Sequence, residues 1–248
     1  MFPGFGTVVN VIAVLVGSGI GVLLGHRLPQ STRDVVTDAL GLVTLLVAAL
    51  SAFAVTDPVL SDAVGDSAPV LIVLGSLLIG GIAGSLLRIE FRLESAGGWM
   101  QQRFVHADDS DERRRFIEGF VAASMLFCIG PLTVLGSLSD GLGNGADQLI
   151  LKSTLDGFAA IAFAATFGWG VAASAVVVGV VQGTLTLLGA VAGDVLPEAQ
   201  LVAVTATGGL LLAGVGLRLL QLKAVPVGDL LPALLVAPVL TATVIAIR

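Results

Sequence analysis

The chain has 248 residues, of which 56% are hydrophobic and 12% are charged, and its net charge is −6. Soluble domains carry about 25% charged residues, so this composition, with a mean hydropathy of +1.01, excludes an ordinary soluble fold. The acidic residues fall mainly in loops, where they form part of the water-exposed surface. The net negative charge therefore gives no indication of nucleic-acid binding.

Apolar runs recur along the whole chain, and each is long enough to cross a hydrocarbon core of about 30 Å. We therefore predict an all-α polytopic membrane protein with eight spans, numbered 1 to 8 in chain order: 5–25, 35–55, 68–87, 116–139, 149–167, 170–192, 201–221 and 230–247. Only FGWG (residues 167–170) separates spans 5 and 6, so a broken or re-entrant pair is the alternative there.

The Lys and Arg residues predict the orientation, because they stay on the cytoplasmic side of the membrane. They follow spans 1, 3 and 7, whereas the loop between spans 2 and 3 carries Asp57, Asp62 and Asp66 and no base. We therefore expect both termini outside and the polar linker 88–115 in the cytoplasm. A segment this short cannot bury a core of its own. It is either a solvated connector or a regulatory or partner-docking element.

Two parts of the sequence resemble each other. Residues 4–25 align without gaps on residues 168–189 with eight of 22 positions identical, and further along Gly41 matches Gly209. Five spans separate the starts of the two copies, so the copies cross in opposite directions. Such inverted repeats recur in secondary transporters, with the site between the copies near the bilayer centre. The predicted organisation is a first repeat (1–87), a cytoplasmic linker (88–115), spans 4 and 5 (116–167) and a second repeat (168–248).

Glycines recur every four residues at Gly17, Gly21 and Gly25 in span 1, and at Gly80 and Gly84 in span 3. This spacing places glycine on one helix face, where two backbones can approach closely. We expect helix packing within the chain, or a homo-oligomer formed through these faces, in preference to a role in permeation.

Span 4 contains FCIGPLTVLGSLSDG (residues 127–141). Pro131 has no N–H and crowds the carbonyl of Phe127, so a kink or break near Gly130 is predicted. Membrane helices tolerate a break where protein, water or ligand satisfies the freed backbone groups. The opened segment beside Ser137 is therefore either part of an ion or solute pathway or an ordinary kink. Asp140 either joins that pathway, is hydrated or caps the next helix.

Span 5 contains an acid and a base, Lys152 and Asp156, which share a helix face because they are four residues apart. Asp156 is expected about 10 Å below the outer end of the span, where an unpaired charge costs at least a few kcal/mol. The pair is either a cation or proton site, or an interfacial ion pair with Lys152 snorkelling outward. Uncharged polar residues of spans 1 and 6 complete the predicted pathway: Asn10, Ser174 and Gln182.

The sequence lacks the residues of the common intramembrane enzymes. It has no GxSxG or Walker A motif, His26 and His106 fall in polar loops, and Cys128 is the only cysteine. Ser–His catalysis, HExxH zinc binding and multi-cysteine metal sites are therefore excluded within the spans. We expect no enzyme, no metal and no cofactor.

The segments EGFVAASMLFCIGPLTVLGSLSDGL and LILKSTLDGFAAIAFAATFGWG, with GTVVNVIAVLVGSGIG near the N-terminus, resemble the prokaryotic membrane family filed as domain of unknown function 554. The resemblance covers nearly the whole chain and implies a multispan inner-membrane protein without supplying a substrate. With the repeat, the kink and the intramembrane polar residues, it predicts an ion-coupled secondary transporter or a channel for a small solute or ion. The alternative is a non-transporting scaffold or sensor that oligomerises through the glycine faces.

Overall fold

The computed structural model describes residues 2–25, 29–93, 95, 99, 110–128, 131–143, 145–192 and 197–248, which form helices and connections and no strand. Gly130, His26, His106 and much of the 88–115 linker lie outside the described residues. In chain order, the α-helices in these residues include α1 (Phe5–Gly25), α2 (Gln30–Ala52), α3 (Pro58–Val64), α4 (Ala68–Leu87), α5 (Ser110–Cys128), α6 (Pro131–Gly141), α7 (Asp147–Phe167), α8 (Trp169–Ala192), α9 (Glu198–Leu219), α10 (Val227–Leu230) and α11 (Ala233–Ile247).

The breaks between these helices follow from local backbone chemistry. A 3₁₀ helix, Phe53–Thr56, continues α2, and α3 begins at Pro58 with the Asp57 side chain accepting a hydrogen bond from the Val59 N–H at 2.9 Å. α7 ends at Gly168, whose φ of 73° lies in the left-handed region that favours glycine. Spans 5 and 6 are therefore two separate helices, α7 and α8.

Within the described residues, seven helices are long and apolar enough to cross a membrane, and the number is eight if the bent pair α5 and α6 counts as one span. This confirms the predicted all-α polytopic membrane protein. The bent pair, Glu112–Cys128 and Leu132–Gly141, meets at 76°. Its break coincides with the one predicted from Pro131, and the broken or re-entrant geometry that was the alternative for spans 5 and 6 is found at this pair.

The chain divides into two compact units. Unit 1 comprises Met1–Leu40, Leu93–Cys128 and Leu132–Asp194, and unit 2 comprises Gly41–Arg92, Ile129–Pro131 and Val195–Arg248. Unit 1 thus contains α1, α5, α7 and α8 with almost all of α6. Unit 2 contains the later part of α2 together with α3, α4 and α9 to α11.

In unit 1, α1 and α7 lie parallel with their backbones in contact. A Cβ on Gly17 would overlap the carbonyl oxygen of Gly157, and one turn later a Cβ on Gly21 would overlap that of Ile161. The glycine face predicted in span 1 therefore packs within the chain. α8 runs antiparallel to α1, because Thr7 near the start of α1 pairs with Thr186 near the end of α8.

Unit 2 has an apolar core built from helices at both ends of its sequence: Leu60, Val64, Ile72, Ala199, Ala203 and Ala237. The glycine face of α4 also packs within the chain, since Gly80 contacts Ala233 and Gly84 contacts Asp229. Beside this contact the Glu90 carboxylate pairs with Arg218 and accepts a hydrogen bond from the Gly228 N–H at 2.6 Å. Asp229 Oδ1 accepts in return from the Glu90 N–H at 2.9 Å.

Candidate functional site

Asp156 is the centre of a buried polar cluster in unit 1. Lys152, one turn earlier on α7, forms an ion pair with Asp156 Oδ2, and Asn10 Nδ2 of α1 donates a hydrogen bond to the same oxygen at 2.9 Å. Asn10 reaches α7 because glycine lets the two helices approach closely. Lys152 is 6% exposed and Asp156 8% exposed. The structure therefore agrees with a buried site and not with a lysine that snorkels outward.

Gln182 lies on α8 at the level of Asn10. Thr7 Oγ1 and Thr186 Oγ1 are 3.3 Å apart, and a Cβ on Gly179 would lie 3.4 Å from Val11. Asn10 lies between Thr7 and Val11 on α1, and Gln182 lies between Gly179 and Thr186 on α8, so the two residues lie at a similar level of the α1–α8 contact. Both residues are fully buried, yet Asn10 Oδ1 and both polar atoms of the Gln182 amide have no hydrogen-bond partner.

The chain itself supplies a donor to one carbonyl freed at the break between α5 and α6. The Thr133 hydroxyl donates to the Phe127 carbonyl at 3.2 Å, and that carbonyl is the one that Pro131 deprives of its helical donor. Ser137, two turns into α6, is fully buried and its hydroxyl has no partner. A Cβ on Gly136 of α6 would lie 3.0 Å from the Leu149 side chain, which is three residues before Lys152 on α7. The broken helix thus packs against the helix that carries the charged pair.

Two of the predicted site residues, Asp140 and Ser174, form hydrogen bonds with backbone groups. Asp140 is buried and its Oδ2 accepts a hydrogen bond from the Gly6 N–H at 3.0 Å. It therefore caps the first turn of α1, where the sequence had suggested hydration or a cap on the next helix. The Ser174 hydroxyl donates to the Val171 carbonyl of its own helix at 2.6 Å. The pair Thr7–Thr186, which lies beside Asp140's partner Gly6, was not foreseen from the sequence.

Unpaired buried polar atoms distinguish the two units. Among the described residues, all the buried side-chain atoms without a hydrogen-bond partner belong to unit 1: those of Asn10, Ser18, Ser124, Ser137, Thr166 and Gln182. In unit 2 the buried hydroxyls of Ser76, Thr207 and Thr241 each donate to the carbonyl four residues earlier. An unpaired buried polar group costs about 1–3 kcal/mol, and among the described residues this cost falls on unit 1 alone.

A cavity of about 310 Å³ opens at the end of unit 1 where α1 and α7 finish and α5 and α8 begin. Its charged and aromatic lining includes Glu112, Arg115 and Trp169. Arg115 donates a hydrogen bond to the carbonyl of Thr166 near the end of α7. No group of three or more His, Cys, Asp or Glu side chains suited to a metal occurs in the part of the chain that the structure covers.

The family "Protein of unknown function (DUF554)" matches residues 5–242. The chain is 30% identical over 235 residues to a protein of Bacillus subtilis (strain 168), "Uncharacterized membrane protein YdfK", covering 95% of this chain and 94% of that protein. It is also 30% identical over 237 residues to "Uncharacterized protein YqgA" of Escherichia coli (strain K12), covering 96% of each. No solved structure matches the chain significantly.

Proposed function

The chain belongs to the DUF554 family, and from its buried cluster we propose that it is a secondary transporter that moves a small polar solute or ion across a prokaryotic inner membrane. The observation that carries this proposal is the ion pair Lys152–Asp156, buried between membrane-spanning helices and joined by Asn10. An ionisable pair at membrane depth is expensive to keep and is by default a functional candidate. Asp156 is the proposed coupling site.

The contacts of the matched helices support the inverted repeat on which such transporters are built. Gly41 of α2 packs against Leu220, and its repeat partner Gly209 packs against Ala52. Ala52 is itself the repeat partner of Leu220 on the alignment that pairs Gly41 with Gly209. A two-fold axis relating the copies requires such reciprocal contacts. The antiparallel packing of α1 on its partner α8 fits the same relation.

Polar groups also follow one another through the length of unit 1. Asp140 and the pair Thr7–Thr186 lie at the end where α1 begins. Asn10, Asp156 and Gln182 come next, followed by Ser18 further along α1, and the Arg115 cavity lies where α1 ends. We propose this succession as the route of the solute, with Pro131 at the start of α6, Ser137 and Ser174 beside it. From the distribution of Lys and Arg among the loops, we propose that the cavity opens toward the cytoplasm and that both termini lie outside.

Vesicles containing the purified protein test the coupling site. We expect flux driven by one of a proton, sodium or small-anion gradient in the wild type and none in Asp156→Asn, because the amide keeps the size of the carboxylate but not its charge. Asp147→Asn is the matched control, since Asp147 is an exposed acid in the first turn of the same helix. If Asp156→Asn sustains wild-type flux, or if no gradient drives any flux, the proposal is wrong.

The alternative, a scaffold or sensor that oligomerises through the glycine faces, is supported less well. The faces on α1 and α4 contact α7 and the segment around α10 and α11 of the same chain. An oligomer would therefore require other surfaces than those that the sequence suggested.

A further inference from the structure

We propose that the cavity at the end of unit 1 binds the headgroup of an aminophospholipid, with Arg115 holding its phosphate and Glu112 its ammonium group. The cavity measures about 310 Å³, which lies at the lower end of the range of about 300–1,000 Å³ for small-ligand pockets. Its size therefore suits a group such as phosphoethanolamine. The same cavity ends the proposed solute route, but the present proposal concerns binding alone and is tested without flux.

The cavity lies at the level of lipid headgroups. The apolar run of α5 directly follows three consecutive arginines, Arg113 to Arg115, and such a charged run is costly inside the hydrocarbon core. Trp169 lines the cavity and is 51% exposed, as is typical of aromatic side chains at a membrane interface. Leu23 and Leu24, which follow the lining residue Val22 on α1, are also exposed. A lipid thus finds an apolar surface for its chains beside the cavity.

Arg115 supplies the part of the cavity that suits a phosphate. Its guanidinium donates a hydrogen bond to the Thr166 carbonyl, and this bond holds the side chain against the end of α7. A guanidinium has five N–H donors in a fixed fork, so it can hold a carbonyl and a phosphate at the same time. Gly168 and Trp169, where α8 begins, line the same cavity, and the first N–H groups of a helix favour an anion.

Glu112 selects the second group of the ligand. It lies three residues before Arg115 on α5 and lines the same cavity, so a purely anionic headgroup would meet a carboxylate beside the guanidinium. The ion pairs found among the described residues do not include Glu112. A headgroup with a phosphate and a primary ammonium places an opposite charge at each side chain. Phosphatidylglycerol lacks the ammonium and phosphatidylcholine has no N–H on its amine, so both fit less well than phosphatidylethanolamine.

Tryptophan quenching measures this binding, because the chain has two tryptophans, Trp99 and Trp169. In a Trp99→Phe background the tryptophan fluorescence comes from Trp169. Vesicles in which part of one lipid class has brominated upper acyl chains give the relative binding constant of that class beside Trp169. We expect phosphatidylethanolamine to bind about two- to fivefold more tightly than phosphatidylglycerol or phosphatidylcholine, as for one partly exposed charged contact. Equal quenching by the three classes indicates unselective contact with the bilayer and would overturn the proposal.

Two variants in this background separate the two contacts. Glu112→Gln keeps the size of the side chain but removes its charge, so the preference for phosphatidylethanolamine over phosphatidylglycerol should disappear. Arg115→Gln should weaken the binding of both lipids, because both carry the phosphate. Arg113→Gln is the matched control, since Arg113 is exposed on the same helix and is not among the lining residues, and it should leave the preference unchanged.

The Glu112 variant decides the test if Arg115→Gln fails to fold. Glu112 is exposed, so its replacement by glutamine should leave the fold intact. A preference for phosphatidylethanolamine that survives Glu112→Gln would show that the carboxylate does not hold the ammonium, and the assignment of the headgroup would be wrong.

A soluble competitor distinguishes a lipid from a free solute. O-Phosphoethanolamine carries the same two charged groups without acyl chains. At millimolar concentration we expect it to leave the quenching by brominated phosphatidylethanolamine unchanged, because it lacks the contact of the chains with Leu23 and Leu24. If it removes the selective quenching, the cavity takes a soluble phosphorylated amine and the lipid assignment is wrong.

Discussion

The close contact between α1 and α7 predicts that replacing a glycine at this contact lowers the stability of the protein and disturbs the hydrogen bond between Asn10 and Asp156. In Gly21→Ala the new Cβ would overlap the Ile161 carbonyl oxygen and would lie 2.8 Å from the Ala164 Cβ. Methyl groups pack at about 3.8 Å, so the helices must separate locally by about 1 Å. Overpacking of this kind costs about 1–3 kcal/mol. Since the Asn10–Asp156 hydrogen bond is 2.9 Å long, a shift of about 1 Å in its direction would break it.

Gly19→Ala is the matched control, because Gly19 lies on the same helix and a Cβ added there would meet nothing within 4 Å. Unfolding of the purified protein in mixed micelles, followed by circular dichroism over an SDS titration, gives the free energy of unfolding for both variants. We expect a loss of about 1–3 kcal/mol for Gly21→Ala and no loss for Gly19→Ala. Equal stability of the two variants would refute the close parallel packing of α1 on α7.

Three further predictions concern unit 2, the helix break and the topology. Glu90→Gln should destabilise the protein by about 1–3 kcal/mol, because the Glu90 carboxylate holds Arg218 and a backbone N–H, whereas Glu118→Gln at an exposed ion pair should cost less than about 1 kcal/mol in the same titration. Thr133→Val should lower the free energy of unfolding by about 1–3 kcal/mol, since it leaves the Phe127 carbonyl at the break without its donor. On a Cys128→Ser background, an impermeant thiol reagent added to intact cells should label Asp62→Cys and not Gln221→Cys, and the reverse result would invert the orientation derived from Lys and Arg.

The sequence predicted those features that depend on neighbours along the chain. The spans follow from hydropathy, the break from the missing N–H of Pro131, and the Lys152–Asp156 contact from a spacing of four residues. The choice between a buried and a snorkelling lysine could not be made, because both keep the same spacing and differ only in what surrounds the helix. α5 begins at Ser110, six residues before the predicted start of span 4, since a helix can extend through charged residues beyond its apolar run.

The α1 partners of Asp156 and Asp140, Asn10 and Gly6, could not be predicted, because they lie far away in the sequence. Asn10 and Gly6 reach these carboxylates at 2.9 and 3.0 Å only because α1 packs beside α7 and α6. The glycines of span 1 signalled that some close helix partner exists. They carried no information about which helix it is, since every span is apolar and no charge pattern selects among them.

Two positions that the sequence alignment pairs with each other lie in dissimilar surroundings. Asn10 and Ser174 occupy matched positions, and each lies on a helix with a parallel neighbour: α7 beside α1, and the broken pair α5 and α6 beside α8. Asn10 finds a carboxylate on its neighbour, whereas Ser174 donates to its own backbone. The buried stretch of α5 that packs near α8, from Phe120 to Phe127, carries no ionisable side chain. The two aligned helices, α1 and α8, therefore each have a parallel neighbour, but only α1 forms a hydrogen bond with an ionisable side chain on that neighbour.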